Sequence, residues 1–257
     1  MYIYKLPKKI YNHLRHKKTT AKNPLHNDFY VVEFPKSGIT WLSTILANMA
    51  LISSGRKEIA SFTATHLFVP DIHITRNIGA MIYDTPPVRF IKSHAEFNPN
   101  YNFVIYLARH PLDVMKSYYR FLKETGDYSF YTFDDFCRSN KLGINAWKRH
   151  VNSWFNGTVI SQRVHLCRYE NFLENPESEI ELISKNFGWA IDPSIIKIAI
   201  EKSSLQFMKD SERLYKSRNP RYTMTFIGGD CDFEIKKETI SYITIECENE
   251  MKLLGYF

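Results

Sequence analysis

Residues 29 to 41 of this 257-residue chain read Phe-Tyr-Val-Val-Glu-Phe-Pro-Lys-Ser-Gly-Ile-Thr-Trp. The first six are apolar with a single charge, which is typical of a buried strand, and Pro35 ends the run because proline has no N–H to continue a ladder. From Thr40 to Leu51, apolar residues recur at helical spacing, namely Trp41, Ile45, Leu46 and Met49. The sequence therefore predicts a strand, a short loop and a helix.

The loop between this strand and this helix has the composition of a phosphate-binding site. It contains Lys36, Ser37 and Gly38, and it opens a helix whose first N–H groups and dipole favour an anion. Gly38 allows close approach of the backbone, and Lys36 adds a cation. An ordinary strand-helix turn with a solvated lysine is the alternative. A Walker A loop is excluded, because its lysine follows the second glycine.

A lysine and a histidine follow a second predicted strand, Val88–Lys92. Lys92 and His94 are two residues apart, so in an extended chain both side chains point the same way and can face one cleft. A histidine that only packs beneath the strand is the alternative. His66 and His73 lack a metal-binding spacing, and we interpret them as structural or surface residues.

A third predicted strand, Phe103–Arg109, is followed by a helix that starts at Pro111, where proline is favoured. Arg109 therefore lies at the carboxyl end of a strand, where open α/β sheets bind ligands. Its planar fork suits a phosphate, and Ser117 on the next helix adds a hydroxyl group. A salt-bridging arginine and a surface serine are the alternative.

The remaining periodicity alternates strands with helices. We predict a helix at 144–155, a strand at 163–170 and helices at 175–187, 193–202 and 237–254. A helix-and-loop insertion at 56–87 and a loop with a short helix at 122–142 are expected to border the mouth of the site. This order predicts a single α/β domain with a central, mostly parallel sheet flanked by helices. We assign residues 28–257 to that domain and residues 1–27 to a basic N-terminal arm.

The amino-acid composition indicates which kinds of ligand and cellular location to expect. The net charge of +7 favours an anionic ligand, although a polyanion or membrane surface would also explain it. The four cysteines are widely spaced, without a C-x-x-C pair or a secretory signal, which indicates the cytoplasm. No apolar run approaches the ~20 residues that span a bilayer. The sequence gives no indication of oligomeric state.

The segment Phe-Pro-Lys-Ser-Gly-Ile-Thr-Trp-Leu resembles the 5′-phosphosulfate loop of sulfotransferases that use 3′-phosphoadenosine 5′-phosphosulfate, PAPS. Four further segments resemble this family in the same order. They are Lys92-Ser-His94, the Arg-x-x-x-Asp-x-x-x-Ser pattern from Arg109 to Ser117, Tyr169-Glu170, and Ser203 to Lys209. Leu205 stands where the family usually has phenylalanine.

The resemblance implies a P-loop-like fold and transfer of a sulfuryl group from PAPS to a hydroxyl or amine, leaving 3′,5′-adenosine bisphosphate (PAP). It implies His94 as general base, with Lys36 and Lys92 at the sulfuryl group, and no metal. It also implies a set of nucleotide-binding residues: Lys36, Ser37, Gly38, Ile39, Thr40, Trp41, Arg109, Ser117, Tyr169, Ser203 and Met208.

The C-terminal part departs from the family pattern. Phe226-Ile-Gly-Gly-Asp-Cys-Asp-Phe233 stands where the family has Arg-Lys-Gly-x-x-Gly-Asp-Trp, so Arg218 or Arg221 is expected to replace the missing pair. The acceptor, a small molecule or a saccharide, is not specified by these motifs, and no specific nucleic acid is expected. A nucleotide kinase and a non-catalytic polyanion-binding protein are the alternative functions; the kinase lacks its Gly-Lys-Ser/Thr and Walker B signals.

Overall fold

The computed structural model describes residues 19–79, 83–126, 132–156, 163–222, 224 and 233–257. Within these ranges the chain forms four strands and eleven helices. The strands are β1 (Asp28–Glu33), β2 (Arg89–Ser93), β3 (Phe103–Ala108) and β4 (Val164–Arg168). The helices are α1 (Ile39–Ser53), α2 (Thr65–Phe68), α3 (Pro111–Glu124), α4 (Phe133–Cys137), α5 (Ile144–Phe155), α6 (Tyr169–Glu174), α7 (Pro176–Phe187), α8 (Pro193–Lys202), α9 (Leu205–Arg218), α10 (Lys237–Glu246) and α11 (Glu248–Leu253).

The four strands make one parallel sheet in the order β2-β1-β3-β4. In its register Val32 of β1 lies opposite Ser93 of β2, Glu33 lies opposite Leu107 of β3, and Ala108 lies opposite Arg168 of β4. All the carboxyl ends therefore meet at one edge of the sheet. The predicted α/β architecture with a parallel central sheet is confirmed.

Alternate residues of the strands feed two hydrophobic cores, one on each face of the sheet. Tyr30, Val32 and Tyr106 belong to the core that α3, α4, α5, α10 and α11 cover. Phe29, Val31 and Ile105 face the opposite way, into the core that α1, α7 and α8 cover. Because strand side chains alternate in direction, neighbouring residues of one strand serve different cores.

Helix α1 is buried on nearly every side. Its positions 41–51 are all buried, so the helix lacks the polar face that the spacing of Trp41, Ile45 and Met49 alone suggests. A helix that is apolar all round belongs inside a domain. Helix α1 lies between the sheet and α8 and fixes the loop at its N-terminus to the core.

Several local predictions match the structure, and others differ. Helix α7 has Asn175 as its N-cap, with the side chain accepting from Ser178 N–H, and left-handed Gly188 at its end, as predicted. Tyr169, predicted at the end of a strand, is instead the first residue of α6. The predicted C-terminal helix is two consecutive helices, because the backbone of Cys247 between them leaves the helical region with a ψ angle of 5°.

The described part of the predicted N-terminal arm packs on the domain. The Tyr101 hydroxyl donates to the Thr19 carbonyl over 2.9 Å, and the Arg76 side chain donates to the Thr20 carbonyl. At the start of β1, the guanidinium of Arg89 makes two hydrogen bonds to buried Asp28. None of the described helices is both long and apolar enough to cross a membrane.

Candidate active site

The residues that follow the four strands come together at the carboxyl edge of the sheet. The loop 34–38 follows β1, His94 follows β2, Arg109 follows β3 and Tyr169 follows β4. Parallel strands in register place these positions side by side, at the edge where open α/β sheets bind ligands. The sequence prediction that these segments share one site is supported by this placement.

The loop after β1 is a turn built from left-handed residues and capped by its own strand. Lys36 has a φ angle of 78° and Gly38 one of 112°. The Ser37 hydroxyl donates to the Phe34 carbonyl over 2.9 Å. The Glu33 carboxylate accepts the N–H of Lys36 at 3.2 Å and the N–H of Ile39 at 2.7 Å. The loop is thus held by internal hydrogen bonds at both ends.

Gly38 is required at its position because an aromatic ring lies directly over it. A Cβ atom there would be 2.5 Å from Cδ2 of Tyr169. The Tyr169 ring also contacts Arg109, whose guanidinium carbon lies 4.5 Å from the ring centroid. It packs edge-on against Trp41 as well. Arg109, Tyr169 and the loop therefore form one packed unit.

Two cations lie at this loop. Arg109 Nη1 donates to the Lys36 carbonyl over 3.3 Å, and Lys36 Nζ lies 4.5 Å from the centroid of Phe121. Burial lowers the pKa of Lys36 to about 8. Ser117 precedes Phe121 by one helical turn, so it lies on the face of α3 that reaches Lys36. These two cations beside the loop favour an anion such as a phosphate.

Trp41 and Ser203 connect α1 to the end of α8. The Trp41 indole N–H donates to the Ser203 carbonyl over 2.9 Å, and the Asn48 amide donates to the Ser203 hydroxyl over 2.9 Å. Thr40 lies in the first turn of α1, and its carbonyl accepts from the Thr44 hydroxyl. Met208 is fully buried in the core under α1, which gives it a packing role.

A cluster of charged side chains surrounds His94 at the end of β2. His94 Nδ1 lies 3.4 Å from the Glu33 carbonyl oxygen and 3.7 Å from Glu33 Oε1. His94 Nε2 lies 4.0 Å from Asp71 Oδ2, which is also 3.6 Å from Lys92 Nζ. The backbone N–H of His94 donates to His73 Nε2 over 2.8 Å. The predicted pair Lys92 and His94 thus shares one cluster with two carboxylates.

Sequence reasoning did not identify Glu33, Asp71 or His73 as site residues. A signal existed for Glu33, since it is the one charge in the apolar run from Phe29 to Phe34, and buried charges are usually paired or functional. Burial raises its pKa to about 7. Asp71 joins the site only because it forms a bridge to Lys92 beside β2, which no local pattern indicates.

The structure leaves some predicted site residues apart. Arg218 ends α9 and Arg221 follows it, both exposed, so their replacement of the family's missing pair stays a prediction. The segment 225–232 lies outside the described residues. Among the residues that are described, no group of three or more His, Cys, Asp or Glu side chains is arranged to hold a metal ion.

A family model for the sulfotransferase domain matches residues 26–254. The chain belongs to the sulfotransferase family. The matched region includes the loop after β1, His94, Arg109 and Tyr169, and it covers the whole described sheet. The predicted membership of the PAPS-dependent sulfotransferases is therefore confirmed.

Two curated mouse relatives are similar to this sulfotransferase. One, named sulfotransferase 1 family member D1, is 29% identical over 205 residues, covering 72% of this chain and 67% of the relative. The other, sulfotransferase 1B1, is 27% identical over 200 residues, covering 72% of this chain and 66% of the relative. The matches thus span about two thirds of each relative.

Two solved structures share the fold. Retinol dehydratase in complex with androsterone and the inactive cofactor PAP superposes with a TM-score of 0.68 at 15% identity, covering 89% of this chain and 82% of that one. Mouse sulfotransferase SULT7A1 complexed with PAP gives 0.62 at 16% identity, covering 90% and 85%. Both of those structures contain PAP, which agrees with the predicted co-substrate PAPS.

Proposed function

We propose that this sulfotransferase transfers a sulfuryl group from PAPS to a hydroxyl or amine of a small-molecule or saccharide acceptor, with His94 as general base. The observation that carries the proposal is the position of His94 beside the capped loop, with Nδ1 directed at two oxygen atoms of Glu33. The main-chain carbonyl oxygen, the nearer of the two at 3.4 Å, accepts a hydrogen bond, so in the proposed arrangement Nδ1 carries the proton and Nε2 acts as the base.

The residues of the loop fit the nucleotide part of PAPS. A glycine whose Cβ would collide with Tyr169, the N-terminus of α1, and the cations Lys36 and Arg109 together make a compact anion site. Lys36, Ser37 and the residues 38–41 would hold the 5′-phosphosulfate, and Arg109 with Ser117 the 3′-phosphate. Tyr169 and the segment from Ser203 would lie at the adenosine.

The proposed chemistry follows from where charge develops. PAPS supplies an activated sulfuryl group whose sulfur is bonded to an oxygen of the 5′-phosphate. As the acceptor oxygen or nitrogen bonds to that sulfur, its proton passes to His94 Nε2, and the electron pair of the broken S–O bond remains on PAP. Lys36 and Lys92 stabilise the negative charge that develops there. His94 supplies the base that neutral acceptors need.

The cellular location and the class of acceptor are also part of this proposal. Cys137, Cys167 and Cys247 are buried free thiols, which supports the predicted cytoplasmic location. A small-molecule acceptor is supported by the likeness to a fold whose solved members include a complex with androsterone. The two segments expected to border the site and to contact the acceptor, 56–87 and 122–142, lie partly outside the described residues.

The test replaces His94 by asparagine, which keeps a hydrogen-bond donor toward Glu33 but does not take up a proton near neutral pH. Sulfuryl transfer from PAPS to a pool of phenols, alcohols, saccharides and amines is followed by mass spectrometry. We expect His94→Asn to lower turnover by about 100-fold or more and to leave PAP affinity nearly unchanged.

The matched control is His165→Asn on β4, where a half-buried histidine packs near Phe187 away from the loop. This variant should transfer sulfate at the parent rate. A His94→Asn protein that also works at the parent rate would show that His94 is not the base.

A further inference from the structure

We propose that Glu33 is a positioning residue whose carboxylate caps the phosphosulfate loop and, together with its main-chain carbonyl, orients His94 for proton transfer. The inference deepens the proposed function and depends on it for the role of the base. Glu33 lies in the last position of β1, its side chain is only 3% exposed, and it contacts both parts of the site.

On the loop side, Glu33 provides the hydrogen-bond acceptor that the N-cap residue of α1 lacks. Helix α1 begins after Gly38, which has no side chain to accept a hydrogen bond from the first turn. Glu33 Oε2 instead accepts the Ile39 N–H at 2.7 Å, and Oε1 accepts the Lys36 N–H at 3.2 Å. A carboxylate at a helix N-terminus is favourable, and here it fixes the loop in its left-handed conformation.

On the base side, Glu33 faces Nδ1 of His94. The register that pairs Val32 with Ser93 makes Glu33 and His94 neighbours at the ends of adjacent strands. Nδ1 of His94 lies 3.4 Å from the main-chain carbonyl oxygen of Glu33 and 3.7 Å from its Oε1, and the tautomer with the proton on Nδ1 suits this contact. When Nε2 accepts a proton, the nearby carboxylate stabilises the imidazolium.

Every element packed around Glu33 contributes a titratable group. Lys36 comes from the loop, Lys92 and His94 from the end of β2, Tyr106 from β3 and Tyr169 from α6. Asp71 lies beyond Lys92 and His94. Burial outweighs the lysines and raises the pKa of Glu33 to about 7.

The central variant is Glu33→Gln, which keeps the size of the side chain and an oxygen for the Ile39 N–H but removes the charge. The pKa and tautomer of His94 are read by NMR of the imidazole nitrogens in the full chain, with the His94→Asn spectrum assigning the signals. We expect the pKa of His94 to fall by about one unit in Glu33→Gln, because an adjacent charge that favours the imidazolium is lost.

Activity gives a second readout. The acidic limb of the pH-rate profile should move to lower pH by the same amount, and kcat should fall by about 3- to 10-fold because the base is weaker.

Two control variants separate this role from a general loss of stability. Glu250→Gln removes a buried carboxylate on α11, where it binds Asn152, and should leave both readouts unchanged. Glu33→Asp keeps the charge with a shorter reach, so the pKa of His94 should change less than in Glu33→Gln.

The outcomes distinguish the two proposals. An unchanged His94 pKa and tautomer in Glu33→Gln, or a larger change in Glu33→Asp than in Glu33→Gln, would overturn the positioning role. A His94→Asn protein with full activity would overturn the proposed function instead, while the NMR measurement would still decide whether Glu33 orients the ring.

Discussion

Replacing Gly38 by alanine tests how tightly the loop and the Tyr169 ring are packed. Two costs are expected in the folded state. A φ angle of 112° is unfavourable for any residue with a Cβ, by about 1–2 kcal/mol. In addition, the new Cβ would lie 2.5 Å and 2.6 Å from two carbons of the Tyr169 ring, and overpacking of this kind costs about 1–3 kcal/mol.

These two costs are separable, because only the second requires the ring. In the parent background, Gly38→Ala should lower the free energy of unfolding by about 2–5 kcal/mol. In a Tyr169→Ala background the clash is absent, so the same change should cost only about 1–2 kcal/mol. The assay is urea denaturation of the four proteins of this double-mutant cycle, with ligand absent.

Gly188 supplies the matched control. Its φ angle is 69°, and nothing lies within 4 Å of the position where a Cβ would be. Gly188→Ala should therefore show only the conformational cost of about 1–2 kcal/mol, with or without Tyr169. If Gly38→Ala costs the same in both backgrounds, within about 0.5 kcal/mol, the ring does not constrain the loop and the reasoning is refuted.

Two further predictions concern the cations of the site. PAP should bind more tightly than AMP by at least about 2 kcal/mol, and Arg109→Ala should abolish the difference in titration calorimetry; equal affinities in the parent chain would contradict the assignment of the 3′-phosphate site. Because the pKa of Lys36 is lowered to about 8, PAP affinity should weaken above pH 8 by up to about tenfold per pH unit, as the ammonium is lost. Lys36→Arg should remove this alkaline decline, since a guanidinium stays charged, and a parent profile flat to pH 9.5 would refute the role of Lys36.

The low pKa of Lys36 also sets the sign of its effect on stability. In the ligand-free chain the folded state binds this proton less tightly than the unfolded state, whose lysine has its ordinary pKa of 10.5. Lys36 therefore destabilises the fold most below pH 8, and that destabilisation is relieved as pH rises from 8 toward 10.5. Raising the pH should therefore weaken nucleotide binding while it reduces the destabilisation that the buried Lys36 ammonium causes.

Local patterns were sufficient for much of the fold. The helix at 144–155 has the predicted bounds because its apolar residues follow a clear helical spacing. Helix α7 begins after its N-cap Asn175 and ends before left-handed Gly188, as these two residues predict. The phosphate loop was recognisable because proline, lysine and glycine stand between a strand pattern and a helix pattern. These features depend on neighbours along the chain, which a sequence displays directly.

The parts that could not be predicted depend on pairing between distant segments. The strand order β2-β1-β3-β4 and its register bring Glu33 to His94, although 61 positions separate them. Asp71 reaches Lys92 through a bridge outside the named strands. Tyr169 is the first residue of α6 and its ring packs over distant Gly38, whereas its sequence continues a strand pattern.

Because of the parallel register, the chain should tolerate insertions and deletions in some segments but not in others. Lengthening β1 or β2 by one residue would turn Glu33 or His94 to the opposite face of the sheet, because strand side chains alternate. The connecting segment between α1 and β2 meets β2 around Asp71 and His73, through the bridge to Lys92 and the hydrogen bond that His73 accepts from His94, so those positions are constrained as well. Changes of acceptor specificity are therefore expected through changes of length elsewhere in the connecting segments, while the strand lengths that align the nucleotide site stay fixed.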